Sequence, residues 1–331
     1  MALVTHSQLP AFDTLRAEGI DVATPGEATR SRLPDISIGL LNLMPDGALV
    51  ATDRQFIRLA AAYADRADLW VFPFTLAPED RGKDARAHIE AHYWEFGDIQ
   101  ASGVDALIVT GANPLHTDLT EESFWNELAE VLDWAETSTV SVLCSCLATH
   151  AVLEKNRLAK RSRLPRKCWG VYRHQVVADH PLVAGLAPEV TAPHSHFYDI
   201  TPAQFESAGA RVLVQSGQGV HLAVDADDFY LFFQGHPEYE PVSLLKEYQR
   251  EVARFHGGER PDFPPIPEHY FDRRSFPALE EHRRVTETAR SEGRDLPPLP
   301  EKVEITTADW VEPGRIVYRN WLQRVEQAKR N

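Results

Sequence analysis

Apolar runs of strand length alternate with longer stretches of helical period through the first half of the chain. Residues 36–43 are almost continuously apolar, residues 52–65 carry Phe56, Leu59, Ala60 and Tyr63 at helical spacing, and residues 68–74 return to a strand-like run. A buried strand, an amphipathic helix and a second buried strand predict a right-handed crossover in a parallel sheet. The alternation continues with a strand at 106–109, a helix at 121–136 built on Phe124, Trp125, Leu128, Val131 and Leu132, a strand at 139–144 and a helix at 147–155. Further on, 212–214, 221–224 and 229–233 predict strands or hairpins and 244–256 a helix. The Pro-rich tail predicts loops closing on one helix from about 315 to 329. The expectation is an α/β catalytic domain over 35–257, an N-terminal extension over 1–34, and a C-terminal extension over 258–331 packed on the same domain.

Composition narrows the function. Of the 331 residues, 34 are Lys or Arg and 49 are Asp or Glu, a net charge of −15 that argues against nucleic acid and anionic membranes as partners. A basic cluster of Arg157, Lys160, Arg161, Arg163, Arg166 and Lys167 reverses that sign locally, as a pocket for an anionic small molecule would. The chain start lacks the basic and apolar regions of a secretory signal. The most apolar stretch, 140–153, is broken by Ser141, Ser145, Thr149 and His150 and is too short to span a bilayer. With only Cys144, Cys146 and Cys168, no disulfide scaffold is implied, and a soluble, cytoplasmic protein is expected.

Cys146 falls between a predicted strand and a predicted helix, where a sharp turn exposes the sulfur and helix N–H groups stabilise thiolate and oxyanion. Cys144 and Ala148 stand where such an elbow usually has glycine, and buried core cysteines are the plain alternative. His236 and Glu238 flank Pro237 at the end of a later strand. In extended backbone, residues two apart share a face, so Glu238 can orient the imidazole and leave its other nitrogen to take a proton. Together they form the nucleophile, base and orienter of covalent catalysis. His194 and His196 alone do not make a metal site, and no metal is expected.

The segments Leu40-Leu41-Asn42-Leu43-Met44-Pro45, Leu107-Ile108-Val109-Thr110-Gly111-Ala112, Cys146-Leu147-Ala148, Gly170-Val171-Tyr172, Ala192-Pro193-His194-Ser195 and Gly235-His236-Pro237-Glu238-Tyr239 resemble, in order and spacing, the homoserine O-succinyltransferase family of methionine biosynthesis. The resemblance covers nearly the whole chain. It implies a flavodoxin-like sheet related to class I glutamine amidotransferases, largely parallel with helices on both faces, and a homodimer. The implied reaction moves an acyl group from acyl-CoA to the hydroxyl of L-homoserine, with no cofactor beyond the thioester substrate. Motif by motif, Cys146 becomes the acyl-thioester nucleophile, His236 the proton acceptor and Glu238 its partner, while Lys167, Ser195 and Arg250 fall at substrate-binding positions.

Two departures bear on the chemistry. The family carries a lysine soon after Asn-Leu-Met-Pro, thought to help stabilise the oxyanion, whereas Asp46-Gly47-Ala48 follows here. Its role passes to backbone N–H groups such as that of Leu147, or to Arg54, or the reaction differs. Leu115 stands at the position of a Gly-or-Glu donor switch; it lacks a carboxylate that would repel succinyl, yet takes up space, which leans the donor to succinyl-CoA and leaves acetyl-CoA open. Serine or another hydroxy amino acid as acceptor, a glutaminase-type hydrolase, and a non-catalytic binding protein are the competing readings.

Overall fold

The computed structural model describes residues 1–26, 35–76, 80–156, 158–301 and 303–330. Arg157 of the basic cluster and residues 27–34 of the N-terminal segment lie outside them. The parallel strands β3 (Ile36–Leu41), β4 (Leu69–Phe74), β5 (Ala106–Val109), β6 (Ser141–Ser145) and β11 (Tyr230–Phe233) lie side by side in the order β4-β3-β5-β6-β11. Numbered by appearance this is 2-1-3-4-5, the flavodoxin-like winding, whose ligands sit beyond the carboxyl ends of the strands. Two short strands near the N-terminus, β1 (Leu3–Val4) and β2 (Val22–Ala23), extend the β4 edge in parallel. Beyond β11 the sheet turns antiparallel through β10 (Gly219–Val224), β9 (Arg211–Ser216), β7 (Ser162–Val176) and β8 (Glu189–Asp199).

Strand alternation divides the core in two. Ile36, Ile38, Leu40, Ile108 and Leu143 face one layer with Phe56 and Ile57 of α2 (Asp46–Ala60) and Tyr318, Trp321 and Leu322 of α10 (Val311–Lys329). Leu41, Leu107, Val109, Val142 and Cys144 face the other, against α5 (Trp125–Ser138) and α6 (Leu147–Lys155). A third cluster joins Trp169 and Val171 of β7 to Leu244, Tyr248 and Val252 of α8 (Ser243–His256) and to Tyr270 and Trp310 of the tail.

The structure adds elements that periodicity does not reveal. The β7–β8 ladder is interrupted in sequence by Pro165 and Pro193 and absorbs a register shift between Arg163 and Cys168, so no alternating apolar run marks it. The tail contains a second helix, α9 (Phe276–Ser291), whose buried face is Leu279, His282, Thr286 and Ala289. Its spacing is helical, but two of the four positions are polar. Trp321 anchors the last helix, buried in the core with Nε1 donating to Ser141 Oγ at 3.0 Å. Trp321→Ala is expected to cost about 3–5 kcal/mol, read as a lower urea midpoint at unchanged slope.

Candidate active site

Cys146 links β6 to α6 with φ 51° and ψ −104°, a left-handed backbone that a side chain occupies only when its surroundings hold it there. They do so with hydrogen bonds. Cys146 N–H donates to Phe233 O at 2.6 Å, and the Thr149 hydroxyl lies 3.1 Å from the same carbonyl and 3.2 Å from Cys144 O. The turn leaves Cys146 partly exposed while Cys144, on the preceding strand, is fully buried and its thiol pKa is raised by that burial. Leu147 opens α6, so its N–H has no intrahelical acceptor and is available beside the sulfur. Gly111, in the loop after β5, leaves the sulfur's approach open: a Cβ there would stand 3.7 Å from the Cys146 Cβ.

Because β11 pairs in parallel with β6, the chain leaving it arrives beside the same turn. His236 N–H donates to Pro193 O at 2.8 Å, its ring stacks on Tyr239 with centroids 4.4 Å apart, and its Nδ1–H donates to Glu238 Oε1 at 2.7 Å. Nε2 is buried with no hydrogen-bond acceptor of its own and is the nitrogen left for the Cys146 sulfur. Burial opposes a charge on His236, but Glu238 and the neighbouring Cys146 outweigh it and push the pKa up to about 10. The pairing with Glu238 thus favours the protonated imidazole.

A cleft of about 450 Å³ opens over this group, with Cys146, Leu147, His236, Lys167, Ser195, Arg250 and Leu115 all on its walls. The half-buried carboxylate of Glu247 organises the β7–β8 side: its Oε2 receives Ser195 Oγ at 2.6 Å, Trp169 Nε1 at 2.8 Å and Lys167 Nζ at 3.3 Å, and its Oε1 receives the Tyr239 hydroxyl. Burial opposes the Glu247 charge, yet Lys167, Ser195 and Tyr239 hold its pKa below the usual range; burial also lowers that of Lys167, which lies 4.3 Å from the Trp169 ring centroid. Arg250, one helical turn beyond Glu247, is 54% exposed and meets only Glu251 at 3.8 Å. Leu115 is 88% exposed at the rim and encloses no part of the floor.

Glu247 and Tyr239 are site residues to which sequence reasoning gave no role. Glu247 and Arg250 stand three apart on one helix, a spacing that places an anion and a cation on one face. Arg161 of the basic cluster does reach the cleft, tied to His116 O at 2.6 Å and set over the Tyr198 ring. Arg54 does not: both of its hydrogen bonds go to Glu240, at 2.6 and 2.7 Å, and it forms no part of the cleft wall, so it is removed as an oxyanion donor.

A cysteine at the elbow of a flavodoxin-like sheet, with a carboxylate-held imidazole beside it, is an arrangement able to carry out acyl transfer. Residues 2–330 match the family described as homoserine O-succinyltransferase. Proteins of that name from Allochromatium vinosum, Thiobacillus denitrificans and Methylococcus capsulatus are 48%, 46% and 45% identical, each alignment covering 99% of this chain and 93%, 93% and 94% of the relative. The chain belongs to the homoserine O-succinyltransferase family of acyltransferases. More distant solved structures also align: a glutamine amidotransferase from Methylobacillus flagellatus (TM-score 0.48, 14% identity, covering 87% of this chain and 94% of the other) and one from Thermotoga maritima (0.44, 11%, 88% and 99%).

The raised His236 pKa has a sign that can be checked. The folded state holds this proton more tightly than the unfolded chain, so its contribution to stability is full below about 6.5 and is lost as pH rises through about 10. Glu238→Gln removes the charge that sustains it. The His236 resonances of histidine-labelled protein should titrate near 10 in the wild type and well below that in the variant.

Proposed function

We propose that this protein transfers a succinyl group from succinyl-CoA to the hydroxyl of L-homoserine through a thioester on Cys146, as a step of methionine biosynthesis. The observation that carries the reading is the pairing of Cys146, on its left-handed turn, with an imidazole whose protonated form Glu238 favours. A cation beside the sulfur favours the thiolate, which is the attacking species. The thiolate adds to the thioester carbonyl and the oxyanion takes the Leu147 N–H. The tetrahedral intermediate then expels the CoA thiolate, which takes the His236 proton and leaves a neutral base. That base removes the homoserine hydroxyl proton as its oxygen attacks the Cys146 thioester; expulsion of the cysteine thiolate restores the starting ion pair and releases O-succinyl-homoserine. The exchange of one thioester for another is nearly balanced, so the site needs positioning and charge rather than a cofactor.

The acceptor is an amino acid and needs opposite charges held apart. Arg250, exposed and only loosely paired, suits its carboxylate, and Glu247 with Ser195 offers acceptor oxygens for the amino end. Arg161 and Lys167 on the cleft wall suit the distal carboxylate of a succinyl donor, and Leu115 brings no opposing charge. The names of the relatives agree with that donor. A cytoplasmic homodimer completes the reading, and the described residues contain no helix long and apolar enough to cross a membrane.

Intact-mass measurement after mixing with succinyl-CoA alone tests the mechanism. Wild type and Cys144→Ala should gain one succinyl group and Cys146→Ala none; a wild type that stays unmodified with both succinyl- and acetyl-CoA would sink the acyl-enzyme and favour the hydrolase reading. Initial rates against both substrates should give parallel lines. Arg250→Ala should still form the adduct while its KM for homoserine rises roughly 10- to 100-fold, the worth of one charge-assisted hydrogen bond.

A further inference from the structure

The face of the β7–β8 ladder opposite Lys167 and Ser195 carries three imidazoles in a row. His174 Nδ1 lies 3.1 Å from Tyr172 O, His174 Nε2 lies 3.1 Å from His194 Nε2, His194 Nδ1 lies 3.1 Å from His196 Nε2, and His196 Nδ1 lies 2.7 Å from Tyr198 O. All three rings are buried. Carbonyls only accept, so both outer rings carry their hydrogen on Nδ1 and present a lone pair at Nε2. His194 in its neutral form has one N–H for two such neighbours. When that hydrogen goes to His174, the lone pairs of His194 Nδ1 and His196 Nε2 face each other. Four contacts share three hydrogens, and the row lacks one positive charge.

A proton is a poor candidate to supply it. Burial opposes a lone positive charge on any of the three rings. A metal ion has a further ligand at hand. In the ladder Cys168 is the direct partner of His196 and Gly170 that of His194, so the Cys168 thiol stands on the same face as both rings. Among the described residues, Cys168, His194 and His196 are the one group of three potential ligands whose donor atoms all lie within 4.8 Å of one another.

We propose that Cys168, His194 and His196 bind a zinc ion on the rear of the β7–β8 ladder. One thiolate and two imidazoles suit that metal, and a fourth tetrahedral position stays open to water. Binding releases the Cys168 proton to solvent, and the thiolate offsets half of the metal charge. The other nitrogens are placed as a zinc site requires: His196 Nδ1–H donates to the Tyr198 carbonyl, and with its hydrogen on Nε2 His194 donates to His174. The expectation of no metal, drawn from the His194–His196 spacing, did not include Cys168, which only the strand register brings to them. His196 also reaches the wall of the cleft that holds Cys146; the ion would fix the register that presents Lys167 and Ser195 on the opposite face of the strands and takes no part in the acyl transfer.

The full-length protein, stripped with a chelator, is titrated with zinc against a chromophoric competitor, and separately with cobalt. The expected result is one zinc per chain, a rise in melting temperature, and a near-ultraviolet thiolate-to-cobalt band. Cys168→Ser and His196→Gln should each weaken zinc binding by about ten-fold or more, while Cys146→Ala keeps metal and band. Absence of the cobalt band in the wild type overturns the site without recourse to any variant. So does loss of metal in Cys146→Ala, which would put the ion at the catalytic thiol, or undiminished binding by Cys168→Ser.

Discussion

The site depends on a backbone conformation that the chain would not choose by itself. A non-glycine residue at φ 51° costs on the order of 1–3 kcal/mol, and it persists because the turn is held on several sides. β6 is buried between β5 and β11, Phe233 O receives the Cys146 N–H, and Thr149 reaches back to close the turn. The same contact to Phe233 has a second effect. It fixes the end of β11, and within three residues the chain delivers His236. The strain at Cys146 and the placement of His236 thus share one hydrogen-bonded join between neighbouring parallel strands.

Around that join, buried charges occur in compensating sets. Glu238, 2.7 Å away, favours a charge on His236, and Lys167 with two hydroxyl groups favours one on Glu247. Each group alone would be costly to bury, and removing one member would leave the other uncompensated. This local balance lets a chain of net charge −15 place Lys167, Arg161 and Arg250 together on the wall of one cleft. Two of the cleft's cations are held in place by side chains and carbonyls: Arg161 by His116 O, Lys167 by Glu247 and Trp169.

How much of this was legible follows from how each part is encoded. The parallel strands announce themselves as apolar runs because both their faces are buried, and Cys146 and the His-Pro-Glu pair follow such strands directly. The β7–β8 ladder does not, since its faces carry Lys167, Trp169 and Ser195 on one side and Cys168, His194 and His196 on the other, which hides the period-two signal. The role of Glu247 is equally hidden: a glutamate in the helical run Glu247-Tyr248-Gln249-Arg250-Glu251 is indistinguishable from surface charge until β7 and β8 are seen against it. Arg54 shows the converse error. Its position near the missing lysine suggested a substitute, but Glu240, remote in sequence, claims both its hydrogen-bonding ends.

The two faces of that ladder meet again at Gly235. A Cβ on this residue would lie 2.5 Å from His221 Nδ1, 2.9 Å from His194 Nε2 and 3.0 Å from Pro193 O, so the backbone leading into His236 rests directly on the buried histidines. No side chain fits between them. The imidazole row is thus the floor under the catalytic loop as well as the rear of the strands that carry Lys167 and Ser195. A row short of one positive charge is a weak floor, because opposed lone pairs push its rings apart. Whatever supplies that charge tightens both supports at once, which links the rigidity of the histidine layer to the alignment of His236 with the sulfur it must serve.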